Sequence, residues 1–184
     1  MNFPTKTLIP LVLGLMLLPW SLSAGDKRPS QVGWVEKLTF DDGKVLLKAK
    51  LDSGAKTSSI NAEKIERFKK GDEDWVRFEL NLKTVDGNWE RIPMERPLFR
   101  NVRIKEHEGE NDRRPVVKLD FCLGKQKRRA QFTLVDRSKF IYPVLLGRRF
   151  LADRYLINPG RVHLTSPSCD YTDDASGSSE KSDK

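Results

Sequence analysis

The sequence predicts a small all-β domain, either a closed barrel or a sandwich, with one or two short helices. Short strand-like runs, about eight in number, follow one another along the chain. Turn signals rich in Gly, Pro, Asn and Asp separate most of these runs, and only two short segments have the spacing of a helix. This succession is typical of small closed or sandwiched β domains.

The first half of the chain contains three predicted strands and one predicted helix. Residues 32–40 and 45–52 are apolar runs joined by Asp-Asp-Gly-Lys at 41–44, which is a hairpin signal. Residues 59–70 place their apolar side chains at helical spacing, so they predict a helix. In residues 75–85, apolar and polar side chains alternate strictly, so this run predicts a strand with one buried face.

The second half of the chain predicts further strands, hairpins and a short helix. The predicted elements are a turn at 85–90, a strand at 97–104, a hairpin about Gly124-Lys125, a buried strand at 141–147, a helix at 148–154 and a final hairpin turning at 158–160. The polar stretch after residue 104 predicts an excursion from the domain.

The two ends of the chain are predicted to lie outside the domain. Residues 1–24 carry one lysine, an apolar run at 8–18 and small residues at the end, the pattern of a secretory signal peptide. The run is too short for a membrane-spanning helix, which needs about 20 residues. Residues 25–31 predict a linker, and the polar residues 168–184 predict a disordered tail. We therefore expect an exported, periplasmic protein with one domain at 32–167.

The composition bounds the partners of the chain. Its formal net charge of +8 at pH 7 predicts weak association with anionic envelope surfaces, although basic charge also keeps proteins soluble. No nucleic-acid partner is expected. The two histidines and two cysteines lack the close spacing of a metal site, so no metal is expected either.

An oxidising compartment permits a disulfide between the two cysteines, Cys122 and Cys169. On its predicted strand, Cys122 lies on the face opposite to the apolar side chains at 117, 119, 121 and 123, so we expect it outside the main core. A bridge to Cys169 would tie the start of the tail to the barrel.

The sequence Leu-Asp-Ser-Gly-Ala-Lys-Thr-Ser at 51–58 permits three interpretations. A phosphate-binding loop requires an earlier glycine that is absent here, and Ala55 separates the glycine from the lysine. A serine nucleophile at Ser53 lacks the Gly-x-Ser-x-Gly turn. The favoured interpretation is a carboxylate: the strand delivers Asp52 to a fixed place, and Gly54 permits a tight turn whose N–H groups hold it. An aspartic protease needs such a carboxylate and a second one close by.

Several sequence blocks occur in order across residues 33–164. They are Lys-Leu-Asp-Ser-Gly-Ala-Lys-Thr-Ser at 50–58, Trp-Val-Arg-Phe at 75–78, Arg-Pro-Val at 114–116, Leu-Leu-Gly-Arg at 145–148 and Pro-Gly-Arg at 159–161. In these blocks the sequence resembles the retropepsin-like aspartic endopeptidases, and most closely a bacterial group often labelled as ATP-dependent zinc proteases. The sequence has neither His-Glu-x-x-His nor a phosphate-binding loop. We therefore expect no zinc, no ATP and no other cofactor.

The resemblance implies a closed retropepsin-like β-barrel and a role for each residue of the two catalytic motifs. Asp52 would be the catalytic carboxylate, and Ser53 would bond the backbone of a second loop across a dimer axis. The implied supporting residues are Ser53, Gly54, Ala55, Thr57, Leu146, Gly147 and Arg148, of which Leu146 and Gly147 would back the loop from below. Because the chain has one Asp-Ser-Gly, the second carboxylate would come from another copy, which implies a homodimer.

The sequence departs from the retroviral pattern at Lys56. Retroviral enzymes carry an acid there that pairs with the arginine of the later Gly-Arg pair, so Arg148 needs another partner in this chain. A lysine beside the catalytic carboxylates would also lower their pKa values.

The turn at 84–90 is the predicted flap over the substrate, and its site residues are Asp86, Gly87 and Trp89. Trp89 is expected to be either a substrate contact or a core aromatic.

Two functions follow from these expectations. The favoured one is an exported aspartic endopeptidase, which hydrolyses peptide bonds with a water activated by an Asp dyad formed across a homodimer. The alternative is a non-catalytic module that binds peptides or polyanions on the same barrel through its basic surface.

Overall fold

A computed structural model of the protein describes residues 29–105 and 111–169. The predicted signal peptide lies outside these residues, as do most of the predicted linker and most of the predicted tail. The elements are β1 Ser30–Phe40, β2 Val45–Asp52, β3 Ser58–Lys70, β4 Glu73–Lys83, β5 Trp89–Pro97, β6 Arg100–Lys105, β7 Asn111–Leu123, β8 Gln126–Val135, β9 Val144–Gly147, α1 Arg148–Leu151 and β10 Tyr155–Val162. The described part of the chain is thus nearly all-β, as predicted.

Six of the strands form a closed barrel. Neighbouring strands follow the order β1, β2, β9, β3, β8 and β7, and pairing of β7 with β1 closes the ring. Strand β10 lies beside β1, and β6 lies beside β7. Strands β4 and β5 form a hairpin that pairs with the second part of β3. The prediction of a small closed barrel is confirmed.

The strands of the barrel are amphipathic with a period of two, and this alternation decides which side chains face inward. In β2, the side chains of Val45, Leu47, Ala49 and Leu51 are buried in the core cluster. The alternate side chains of the same strand, at 46, 48, 50 and 52, therefore point out of the barrel. A carboxylate, Asp52, is the last of these outward side chains and also the last residue of the strand.

Residues 59–70, predicted as a helix, belong to strand β3, so that prediction is wrong. The first part of β3 pairs with β8 and β9, and the second part pairs with β4. A bulge between Glu63 and Glu66, where Lys64 has a φ of 50°, shifts which side chains face the core. Ile60 and Ile65 therefore both contact the same core, although side chains five positions apart point to opposite faces of a regular strand. This bulge explains why the apolar residues of β3 have a helical spacing in the sequence.

The final hairpin predicted at 158–160 is also wrong. Strand β10 runs on through these residues as the parallel partner of β1, with an irregular register opposite Gly33 and Val35. The side-chain Oδ1 of Asn158 accepts the N–H of Gly160 at 3.0 Å, which bends the strand without reversing it.

Other sequence-based expectations hold. The turn at 41–44 joins β1 to β2, the turn at Gly124 joins β7 to β8, and α1 follows the buried strand β9. Cys122 and Cys169 form a disulfide with their Cα atoms 5.9 Å apart, and Cys122 is buried outside the main apolar cluster. Within the described ranges, no helix has the length and apolar character needed to cross a bilayer.

Candidate functional site

The site is built where β2 and β9 end together. These strands are parallel neighbours, and their register sets Leu51 beside Leu146 and Asp52 beside Gly147. The two sequence motifs therefore meet at one edge of the barrel, although Ser53 and Leu146 are 93 positions apart in the chain. The loop at 53–57 leaves β2 at this edge and turns back into β3, and Ser53 and Gly54 are exposed at its tip.

The Asp52 carboxylate is held by its own turn and by one lysine. The Gly54 N–H donates to Oδ1 at 2.8 Å, and the Lys50 Nζ donates to Oδ2 at 3.1 Å. The Ala55 N–H donates to the Asp52 carbonyl oxygen at 3.3 Å and closes the turn. Partial burial by itself raises the pKa of the Asp52 carboxyl, but the Lys50 and Gly54 hydrogen bonds, the Lys50 charge and the Ala55 N–H lower that pKa below its ordinary value.

Helix α1 fixes the other side of the loop. Its first backbone N–H groups donate to loop carbonyls, from Arg148 to Ala55 at 2.8 Å and from Arg149 to Lys56 at 3.1 Å. The Arg148 side chain adds two bonds, because its Nη1 donates to the carbonyl oxygens of Ser53 at 2.7 Å and Gly54 at 2.9 Å. Arg148 thus finds its partners in the backbone of the loop instead of in an acid at position 56.

Gly147 occupies a place where a larger residue does not fit. A Cβ atom added there would lie 2.8 Å from the Thr57 carbonyl carbon, 2.9 Å from the Ala55 oxygen and 2.9 Å from the Thr57 oxygen. The Gly147 N–H also donates to the Ser58 Oγ at 3.0 Å. The absence of a side chain at 147 therefore allows β9 to support the Asp52 loop from beneath.

Two arginines of the site were not predicted from the sequence. Arg137, in the segment between β8 and β9, is buried, and its Nη1 donates to the Ser59 Oγ at 2.9 Å. Burial lowers the pKa of the Arg137 guanidinium, and the negative charge of Asp52 opposes this shift, so the two groups interact electrostatically. Arg100 donates to the Thr57 Oγ1 at 3.2 Å from the start of β6. Neither arginine belongs to a motif, and no spacing in the sequence pointed to it.

The turn predicted as a flap is attached to strand β2 of the same chain. The Val85 N–H donates to the Leu46 carbonyl oxygen at 3.1 Å, which fixes the turn on β2 six residues before Asp52. Six residues of a strand span about 20 Å. The turn is therefore attached well away from Asp52 along β2 of the same chain, and its role as a flap stays a prediction.

The structure places all three residues predicted for the flap in this turn or next to it. Asp86 accepts hydrogen bonds from the Thr84 hydroxyl and from the Asn88 Nδ2, and these bonds close the turn together with Gly87, whose φ is 92°. The side chain of Trp89 is 50% exposed, so it is not a core aromatic.

The arrangement supplies one fixed, ionised carboxylate per chain, which lies partly buried at the end of β2 beside the exposed residues of the loop and is bonded by Lys50. A single carboxylate of this kind can take one proton from water but cannot also donate one, which general acid–base hydrolysis of a peptide requires. Within residues 29–105 and 111–169, no group of three or more His, Cys, Asp and Glu side chains is placed to hold a metal ion.

Comparisons with known proteins agree with this geometry. Curated relatives include a probable alpha-L-glutamate ligase of Desulfotalea psychrophila, which is 34% identical over 129 residues covering 70% of this chain and 28% of the relative. A protein of the same name from Shewanella pealeana is 36% identical over 115 residues, which cover 61% of this chain and 24% of the relative. The chain thus spans about a quarter of the length of these curated relatives.

A solved structure and a family model extend the comparison. The crystal structure of Lpg0085, a protein of unknown function from Legionella pneumophila, has a TM-score of 0.61 and 32% sequence identity over 74% of this chain and 98% of its own. A family model described as RimB-like, retropepsin-like aspartic endopeptidase RimB, matches residues 31–167, which include both Asp52 and Gly147. The chain therefore belongs to the RimB-like family of retropepsin-like aspartic endopeptidases.

Proposed function

We propose that the protein is an exported aspartic endopeptidase that works as a homodimer, with one Asp52 from each chain. The observation that carries the proposal is the state of Asp52: a carboxylate at the end of β2, next to an exposed loop and held by Gly54 and Lys50, in a fold of the retropepsin family. The family and the barrel are established above. The catalytic activity, the dimer and the export are the proposed steps.

The chemistry of the proposed enzyme divides two roles between two copies of one residue. The ionised Asp52 takes a proton from a water molecule, whose oxygen then attacks the carbonyl carbon of the peptide bond. The protonated Asp52 of the other chain donates its proton to the carbonyl oxygen. Two carboxylates that contact the same water molecule repel each other when both are ionised, so the second one retains its proton at a pH where the first has lost it. The products are a new carboxyl group and a new amine.

Export is proposed from the amino-terminal sequence alone. Its single lysine, short apolar run and small residues are the features of a signal peptide. An oxidising destination agrees with the disulfide between Cys122 and Cys169. The ligase name of the curated relatives belongs to proteins about four times as long as the matched region, and we do not transfer that activity to this chain.

The alternative is a module that binds an acidic or peptide ligand without cleaving it. The cations around Asp52 favour it, since Lys50 bonds the carboxylate directly and Arg137 interacts with its charge. A pepstatin-type mimic of the transition state separates the two functions. We expect it to bind a working carboxylate pair, whereas a basic binding groove without the pair should ignore it.

Mixed dimers provide the decisive test of the dyad. Asp52→Asn should keep the fold, because the amide oxygen still accepts the Gly54 N–H, but it should abolish cleavage of a peptide mixture. In an equal, fully exchanged mixture of the two chains, about a quarter of the dimers carry two wild-type chains. We expect the activity to fall to about a quarter of that of the same total amount of wild-type protein.

The control is Asp120→Asn, a substitution on strand β7. It removes an exposed carboxylate that pairs with Arg129, and it should leave cleavage unchanged. An activity of one half in the Asp52→Asn mixture would mean that each chain acts alone. That result, or full activity of Asp52→Asn itself, would refute the proposed mechanism.

A further inference from the structure

A row of lysines runs along the outside of the barrel towards Asp52. In β2 the outward side chains after Leu46 are Lys48, Lys50 and Asp52, and the antiparallel register sets Lys37 of β1 directly beside Lys48. We call Lys37, Lys48 and Lys50 the lysine row. Lys50 bonds Asp52, whereas Lys37 and Lys48 make no ion pair within the residues that the structure describes.

The pairing of Lys37 with Lys48 is unfavourable unless a negative charge lies nearby. Like charges directly opposite each other on neighbouring strands destabilise a sheet. The fold alone therefore does not explain why two lysines stand at this register. A bound anionic group would remove the repulsion and convert the pair into a binding site.

A groove adjoins the lysine row. It has a volume of about 370 Å³, and Lys48 and Lys83 lie in its wall together with apolar residues that include Val35 and Pro143. No acidic residue lines it. Ile141, on its rim, is 85% exposed, so the groove offers an apolar surface beside the side chains of Lys48 and Lys83. This chemistry fits an extended peptide segment that carries several carboxylates.

The Cys122–Cys169 disulfide lies on the same face of the barrel as the lysine row. Thr39 has the same outward parity as Lys37 on β1, and it pairs directly with Cys122 of β7. Cys169 is bonded to Cys122, and the N–H of Ser168 donates to the Gly124 carbonyl oxygen at 2.8 Å. Cys169, where the described part of the chain ends, therefore lies beside one end of the lysine row, and Asp52 lies at the other end.

Residues 170–184 have the complementary charge. They contain five acidic residues and two lysines, a net charge of −3, and three of the acids stand at Asp170, Asp173 and Asp174. Asp173 and Asp174 follow Cys169 by four and five residues, which an extended chain spans in about 13–17 Å. Lys37 is two strand residues, or about 7 Å, from Thr39. The acids can therefore contact the row without any change in the described part of the fold.

We propose that the lysine row and its groove bind the acidic segment 170–184 of the same chain. The segment is anchored by the Cys122–Cys169 disulfide, so its effective concentration at the row is far higher than that of any separate acidic peptide. The inference concerns a binding surface and does not depend on whether the protein cleaves peptides.

Carbodiimide cross-linking tests the contact, because the reagent joins an amine to a carboxylate only when the two touch. We expect the oxidised full chain to give links from Lys37 or Lys48 to Asp170, Asp173 or Asp174, identified by mass spectrometry. High salt should reduce these links strongly, since the row is exposed to solvent. A mixture of isotopically light and heavy chains distinguishes links within one chain from links between chains.

Two internal comparisons make each outcome decisive. The ion pair between Lys69 and Asp74, at 2.9 Å, should link in every sample and shows that the reagent works. Lys118, on the outward face of β7 four residues from Cys122, is also within the span of the segment. We expect the lysine row to be linked several-fold more than Lys118.

Equal yields at Lys118 and at the lysine row would overturn the proposal, and so would the absence of tail links in a sample that contains the Lys69–Asp74 link. Light–heavy pairs in about half of all tail links from an equal mixture, the share expected for links between chains, would also overturn it and would assign the row to a second copy. The triple variant Asp170→Asn, Asp173→Asn and Asp174→Asn provides the matched control and should lose the links to the row while keeping its fold.

Discussion

Gly147 provides a test of how closely β9 supports the Asp52 loop. In Gly147→Ala the new methyl group would lie within 3.0 Å of three backbone atoms of Ala55 and Thr57. Backbone atoms cannot rotate away as a flexible side chain can, so either the loop or β9 must move. Overpacking of this kind destabilises a protein by about 1–3 kcal/mol. We expect a decrease in the free energy of unfolding within that range.

The same displacement should reach the Asp52 carboxylate. The loop carbonyls accept the backbone N–H groups of Arg148 and Arg149, and the Gly54 N–H donates to Asp52, so a shift of residues 55–57 changes each of these bonds. Urea denaturation measures the loss of stability, and amide NMR shifts of Gly54 and Ala55 report on the loop.

Gly160→Ala is the matched control for this experiment. A methyl group there would meet one side-chain atom, the Asn158 Oδ1, at 3.5 Å, which is an ordinary contact. We expect its stability to change by no more than about 0.5 kcal/mol. If Gly147→Ala is as stable as Gly160→Ala and leaves the loop amides unshifted, the close support of the loop by β9 is refuted.

Two further predictions concern the lysine at the site and the disulfide. Lys50→Met should raise the pKa of Asp52, measured by carboxyl NMR titration. It should also remove about 0.2–1 kcal/mol of stability at neutral pH, because both groups are partly exposed, and this loss should vanish as the pH falls through the Asp52 pKa. The control Lys48→Met, on the same face but not bonded to Asp52, should change that pKa much less. Reduction of the Cys122–Cys169 disulfide, which spans a sequence separation of 47, should lower the free energy of unfolding by about 2–4 kcal/mol in urea denaturation, and an unchanged midpoint would contradict this.

The sequence was most informative where structure is decided locally. Asp52 ends an alternating strand and precedes a glycine, so its place at a turn could be predicted from neighbouring residues alone. The buried strand predicted at 141–147 and the helix after it were also found, but the strand begins only at Val144 and Ile141 is exposed. The meeting of these two segments could be expected only from the resemblance to a family, because nothing in either segment specifies the other.

The parts that could not be predicted depend on contacts between distant residues. A bulge at Lys64 made β3 look helical, and the pairing partners of β3 overrode that local pattern. The turn at 84–90 was recognised as a turn, but its attachment to Leu46 is a long-range hydrogen bond that the sequence does not encode visibly. Arg137 donates to Ser59 and interacts with the charge of Asp52, and both of these residues lie far from it in the chain.

The two bonds from Arg148 to the carbonyls of Ser53 and Gly54 have a consequence for assembly. They fasten the loop with groups of its own chain, so a single chain already holds the loop in place. Two subunits of the proposed enzyme would then join as preorganised surfaces, and association would not have to supply the ordering entropy of the loop. Dilution of such an enzyme should release folded single chains before it releases unfolded ones.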